Sequence, residues 1–424
     1  MTLRVAAPWR TRVVQALNSD HPIVLGLLAP REGYEFTIDL PAPDAAALAA
    51  SEAAAAGLRA KLTALEPDIA ADAIATYVKS RDVESQAQVE AHNPDLVFIH
   101  GTPLTFGNRP WLSHMEELLP LFGPFFWSGK SADQSAYGTP IWRILRRVFE
   151  DSNCRALFTH LRHSADWIGK LFDSPAIAAK THYIPFGHAF PPEIEARVRA
   201  AQSARPERSG CTFLFTNSWT QAGDSFVLRG GVETLLAFGR LAQERSDVRL
   251  VLRSAMPMDT LGQGFADFVR NVPRVEVVDR KLAYPDFVEL FLGADAYLVP
   301  SCGLHTVSLI EAMSTGAAVI ASDAPGVDEF LHHDRTGIAV AGRLGKLSWY
   351  DERGYLRQTF EPLFRGIDQQ FVENLYQSMA RVAADRDYRL ALGRAGFEHV
   401  RANHAIGPWL DGFGRVLDGV RAGL

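Results

Sequence analysis

Glu311 is the one Asp, Glu, Lys or Arg in the stretch AYLVPSCGLHTVSLIEAMSTGAAVIAS, residues 296–322. A carboxylate cannot hold a phosphate, but it can accept hydrogen bonds from both hydroxyls of a ribose. The apolar run before it ends in a loop that carries Cys302, Gly303 and His305 and no acid. Gly303 lets that loop turn tightly, and Thr306 or Ser308 is placed to cap the helix that follows. A helix starting beyond the carboxyl end of a strand points its free first-turn amides at any anion in the crevice. Amides for a diphosphate and an acid for a sugar make a coherent nucleotide site. The alternative is a solvated Glu311 and an ordinary cap.

Other residues bear on that choice. Arg229 stands directly before Gly230 and Gly231 at the start of a helical pattern, where a guanidinium can pair bidentately with a diphosphate. SDAPGVDEFL brings Asp323, Gly326, Asp328 and Glu329 just beyond the next strand, to touch a ligand or cap a helix. His332 and His333 are adjacent but lack a third ligand at metal-like spacing, so no metal site is expected, and no cofactor.

The elements that must position these residues alternate. After SARPERSG the chain reads strand CTFLFT, a helix over 231–245, strand VRLVL, a helix around FADFV, VEVV, helix YPDFVELFLG, AYLVP, the Glu311 helix, AAVIAS and TGIAV. Such alternation predicts a doubly wound parallel sheet. The first half alternates less regularly: PIVLGLLA (22–29) and YEFTIDL (34–40) as strands, a helix over 45–66, then LVFIH, FGPFFWSG (122–129), a helix over 139–153, RALFTH, SADWIGKLF and THYIPFG. We therefore expect an α/β chain with one domain over 1–200, a second over 211–390 and a terminal helical segment over 391–424. Trp409, Leu410 and Phe413 offer that segment a packing face.

Composition excludes several classes. At 424 residues with a net charge of −6, the chain is no general nucleic-acid binder and is long enough for two cores. Cys154, Cys211 and Cys302 show no paired spacing, which points to a reducing, cytoplasmic compartment. No secretory signal or membrane-length apolar run is read. Arg143, Arg146 and Arg147 lie on or near one side of the 139–153 helix, either solvated or facing anionic lipid at the inner membrane surface.

Taken together, LRGG (228–231), FVELFLGADAYLVPS (287–301), GLHTVSLIEAMSTGAAVIASDAPGVDEFL (303–331) and TGIAV resemble the nucleotide-binding domain of retaining nucleotide-sugar glycosyltransferases of family 4. The resemblance implies two Rossmann-like domains facing a cleft (the GT-B fold) and transfer of a hexosyl unit from a nucleoside-diphosphate sugar to a hydroxyl acceptor, saccharide or lipid-linked. It implies Arg229 and Gly230 at the diphosphate, Thr306 and Val307 at the distal phosphate, Glu311 at the ribose, Glu329 near the donor, and a histidine of the first domain against the sugar. His100 is favoured for that place over His160 and His163. The family often has a glutamate where this chain has Gly303, and His305 stands nearby as a substitute. It also commonly has a basic residue after the first strand, where this chain offers Asn217, Ser218 and Trp219. These departures keep a non-catalytic nucleotide- or protein-binding member of the fold as the rival reading. An epimerase fits the LRGG and SLIEAM elements less well.

Overall fold

The computed structural model describes residues 2–8, 22–79, 83–100, 107–116, 118–122, 137–203, 209–217, 225–256, 258–342 and 366–424. Two six-stranded sheets result, and every strand pair in them is parallel.

The first sheet takes strands β1 (Leu3–Ala6), β2 (Tyr34–Thr37), β3 (Leu96–His100), β4 (Trp111–Met115), β5 (Cys154–Thr159) and β6 (Thr181–Tyr183) in the order β2-β1-β3-β4-β5-β6. Two expectations change here. PIVLGLLA is a helix, Pro22–Leu28, because one face of it packs against the carboxy-terminal helix Ile406–Ala422; a Cβ at Gly26 would run into the Trp409 ring. WLSHM, not read as a strand, is β4 in the middle of the sheet, with Ser113 and His114 fully buried. The 122–129 strand falls almost wholly outside the described residues.

The second sheet takes β7 (Cys211–Thr216), β8 (Val248–Arg253), β9 (Val275–Val277), β10 (Ala296–Val299), β11 (Ala318–Ser322) and β12 (Ile338–Val340) in the order β12-β11-β10-β7-β8-β9. Counted from β7, this is the doubly wound dinucleotide-binding order, with its topological switch between β7 and β10. Strands β10 and β11 are buried throughout, as strands covered on both faces must be. Arg229 comes after β7 and the acid-free loop comes after β10, so topology alone brings both to the switch point.

Helices Gln369–Ala384 and Arg386–Asn403 cover the second sheet, whereas Ile406–Ala422 returns to the first. Trp409, Phe413 and Leu417 are buried there among Val5, Phe98 and Phe158, and Leu410 packs partly buried beside them. On the outer side of the first domain, Glu66 is 6 % exposed and accepts from Arg143 Nε at 2.6 Å and Arg147 Nε at 2.7 Å. Arg146 pairs with Glu150 at 3.0 Å. This arginine row thus ties helices together, leaving it little charge to offer a lipid surface. Among the described residues no helix is long and apolar enough to cross a membrane.

Candidate active site

Helix Thr306–Ser314 starts at the switch point with His305 as its N-cap residue. No side chain caps it: neither Thr306 nor Ser308 takes the position expected of them, since both already lie inside the first turn. Instead His305 Nε2 meets Ser301 Oγ at 2.8 Å, and Gly303 N donates to the same Oγ at 3.3 Å. The first-turn amides therefore keep their donors for an anion. Burial, then the charge of Arg229, holds His305 far below the usual histidine range, so the imidazole is neutral.

Arg229 reaches the same place by a backbone device. Gly230 is left-handed (φ 77°), and a Cβ there would strike the carbonyl of Pro300, so only glycine lets the chain pass this close to the loop after β10. Cys302 N donates to Leu228 O at 3.0 Å and ties the two loops together. Burial pulls the Arg229 guanidinium down to about 10, opposed by Tyr297 and Cys302, and Arg253 pulls it lower; it stays cationic at neutral pH.

A buried cation does stand beside the position after β7, on the neighbouring strand: Arg253. It ends β8, is 1 % exposed, and donates from Nη1 to Asn217 O at 2.6 Å. Ser218 and Trp219 lie outside the described residues. Arg253 was legible as a buried cation closing the apolar strand VRLVLR, a signal passed over because the basic group was sought on the neighbouring strand.

Glu311 is 2 % exposed, so it is no solvated helix residue. Tyr284 Oη donates to its Oε1 at 2.7 Å, and His188 Nε2 stands 3.8 Å from that oxygen. Tyr297, 1 % exposed at the centre of the switch, shares a hydrogen bond with Thr216 at 2.7 Å. Burial raises its pKa, and its phenol also bonds Ser308 and feels the charges of Arg229 and Glu311. One buried phenol thus bonds the helix and lies within electrostatic reach of both the guanidinium and the acid.

Glu329 is elsewhere. Its carboxylate accepts from Arg162 N at 2.7 Å and His163 N at 2.9 Å, capping the first-domain helix Arg162–Leu171, whose own N-cap, Leu161, has no side chain to do so. Both oxygens are committed across the cleft rather than to the donor crevice, and burial raises the carboxyl pKa.

His100 is joined to the site through two other histidines. His100 Nδ1 and His114 Nδ1 are 2.9 Å apart, His114 Nε2 and His160 Nδ1 3.0 Å, and His160 Nε2 and Thr306 Oγ1 3.2 Å. His160 rather than His100 thus makes the direct contact with the second domain. His114 went unnoticed because its strand did.

Residues 229–347 match the family described as Glycosyl transferases group 1. That match begins at Arg229 and takes in the loop after β10 and the helix that carries Glu311. Residues 229–347 are a group 1 glycosyltransferase domain. Around this group 1 domain the complete chain has the GT-B fold. It superposes on HepE of Anabaena, solved with UDP, at a TM-score of 0.56 and 12% identity, covering 99% of this chain and 100% of that one. The sucrose-phosphate synthase of Thermosynechococcus elongatus gives 0.55 and 17%, covering 80% and 77%. A glycosyltransferase of Rickettsia africae gives 0.52 and 10%, covering 99% and 98%. No curated protein matches. At such identities the superpositions speak for the shared frame alone.

Proposed function

We propose that the chain is a retaining glycosyltransferase that moves a hexosyl unit from a nucleoside-diphosphate sugar to a hydroxyl acceptor in glycan or glycolipid synthesis. The observation that carries this is the switch point around Tyr297, where the phenol feels the charges of Arg229 and buried Glu311 beside a helix with no side-chain cap. Arg229, Arg253 and the amides of Thr306 and Val307 would hold the diphosphate and stabilise charge as the bond to the sugar breaks. Glu311, already fixed by Tyr284, would take the ribose hydroxyls. HepE is solved with UDP and with UDP-glucose in the same fold, which supports a nucleotide-sugar donor.

At the sugar end Gly303 offers no carboxylate. Glu116, just past β4 in the first domain, has its charge reaching His305, which supports it as the acid for that end of the site. This favours catalysis over a purely nucleotide-binding role. Release of nucleoside diphosphate from a panel of UDP- and GDP-sugars, with and without saccharide and lipid-linked acceptors, tests the proposal. Nucleotide binding without turnover on any donor would return the chain to the non-catalytic reading.

A further inference from the structure

Arg155, the second residue of β5, has no register partner on β4: Trp111 pairs with Cys154 and the next residue, Leu112, with Ala156. A one-residue bulge re-aims the side chain it carries and is rare between parallel strands. This one sets Arg155 in the wall of a cavity of about 540 Å³ between β5, the edge strand β6 and the return helix Ile406–Ala422.

That wall is basic. Arg155, Lys180 and His182 line it from the sheet side and Arg415 from the helix, with no Asp or Glu among the described lining residues. Acids close to these cations along the chain are engaged elsewhere: Asp151 with Lys61 and with Asn153 N at 2.8 Å, Asp418 with Tyr34 Oη at 2.8 Å and Arg31 at 3.5 Å. Asp411, one turn before Arg415, is not part of the wall. Lys180 commits its three protons to the carbonyls of Phe149, Asp151 and Cys154, so it brings charge alone. Arg155 donates from Nη1 to Gly423 O at 3.3 Å, while its buried Nε has no partner among the described residues. Arg415 is exposed and forms no ion pair among them.

The helix keeps the cavity roomy. Gly412, Arg415, Val416, Gly419 and Val420 fall on one face at helical spacing. A Cβ at Gly419 would meet nothing within 4 Å, so this glycine weakens the helix without gaining close packing in return. A guanidinium pairs with phosphate through two parallel hydrogen bonds, and here one comes from the strand and one from the helix. Ile184, Val416 and Val420 add apolar wall, and the volume is that of an ordinary small-molecule site rather than of a lone ion.

We infer that this cavity binds a phosphate group carried by a small molecule or a lipid, and thereby fastens the return helix to the first sheet. Arg155 and Arg415 take the phosphate oxygens, one of which satisfies the Arg155 Nε, and Lys180 supplies a third positive charge. The site is separate from the proposed donor site. Arg155 lies at the start of β5, whereas His160, which meets Thr306 at the cleft, follows its other end. Five residues of strand put roughly 16 Å between them.

The test is titration of the full chain with inorganic phosphate and glycerol phosphate, with thermal melts against chloride at equal ionic strength. Cosedimentation with phosphatidylcholine vesicles, with and without phosphatidic acid, forms the lipid arm. Phosphate should raise the melting temperature above that in chloride. Arg415→Glu should raise the phosphate Kd by about 10-fold or more, as for a lost hydrogen bond to a charged group. Gly419→Leu should abolish binding by filling the cavity, and Arg229→Met, at the proposed donor site, should leave it unchanged. Binding of the soluble phosphates that both cavity variants lose identifies a soluble ligand. Capture by phosphatidic acid vesicles alone, lost in the same variants, identifies a lipid headgroup. Affinity that survives both variants, or that vanishes in Arg229→Met instead, overturns the site, as does failure of the wild type to bind any of the three probes. Should Gly419→Leu not fold, Arg415→Glu decides by itself, its side chain being exposed.

Discussion

His160 of the first domain and Thr306 of the second meet at 3.2 Å, imidazole nitrogen to hydroxyl, with both residues buried. The contact falls on the first turn of the helix proposed to take the donor phosphate, so the cleft is bridged at the point where the leaving group would depart. A second bridge, from Glu329 to the amides of Arg162 and His163, lies on the neighbouring strand end. Polar groups that a ligand or a change of pH can address thus bridge the two domains on either side of the proposed donor site.

Removing the acid proposed for the ribose should weaken nucleotide binding most. A hydrogen bond to a charged group is worth about 1.5–3 kcal/mol, so Glu311→Ala is expected to raise the UDP or GDP Kd by roughly 10- to 100-fold. Tyr284→Phe deletes only the hydroxyl that holds Glu311 Oε1 and should cost less, about 0.5–1.5 kcal/mol. Calorimetric titration checks both, and an unchanged Kd in Glu311→Ala would show that the ribose lies elsewhere.

The two guanidiniums should separate by kinetics. Arg229→Met removes a cation proposed to face charge that grows as the sugar leaves, so kcat should drop by about 10²- to 10³-fold while folding survives. Arg253→Met instead strips the support from the Asn217 carbonyl and should lower the melting temperature as well. Steady-state rates alongside thermal melts distinguish these patterns; equal losses of stability would argue against a ligand role for Arg229.

Glu116→Gln addresses the acid-free loop. If this carboxylate serves the sugar end of the donor, the variant should bind free nucleoside diphosphate normally yet lose discrimination between donors that differ at one sugar hydroxyl. Competition between two hexosyl donors on the same base provides the measurement. Preserved discrimination would assign the sugar to His305 or the backbone.

Glu329 gives a pH dependence of definite sign. Its folded pKa is raised, chiefly by burial, so the native state binds the proton more readily than the unfolded chain. The stability linked to this group is full below the unfolded carboxyl value and is lost as pH rises through the raised one. Glu329→Gln lacks that loss, so its melting temperature relative to wild type should climb as pH is raised across the window. Glu66, Glu90 and Glu150 titrate in the opposite sense, because arginine and other hydrogen-bond partners outweigh burial and lower their values. The comparison must therefore be variant against wild type at each pH. A flat difference would mean that burial does not disfavour the charged carboxylate.

The second domain was legible because its strands are short apolar runs and its helices announce themselves; YPDFVELFLG is a helix over the residues read for it, Tyr284–Gly293. The first was less so. PIVLGLLA is apolar on every side and carries no period that tells helix from strand, and only Trp409, far along the chain, decides between them. WLSHM hid because its polar residues are buried, His114 satisfied by two other histidines. In the site, Arg229, Gly230 and Glu311 stand out from their neighbours by residue type. Tyr284, Arg253 and Glu116 do not, because what gives them meaning is a partner on another strand or across the cleft.

The return of helix Ile406–Ala422 to the first sheet has a consequence for biogenesis. Trp409, Phe413 and Leu417 fill the face beneath β1, β3 and β5, which are synthesised long before them. Domains usually fold as they emerge from the ribosome, amino-terminal first. Here the earlier domain must wait, its apolar face uncovered, until the later one has been made and the chain has crossed back. A nascent chain stalled after β12 would hold the strands of both sheets without the carboxy-terminal helices that cover them, the form in which this protein would be most in need of a chaperone.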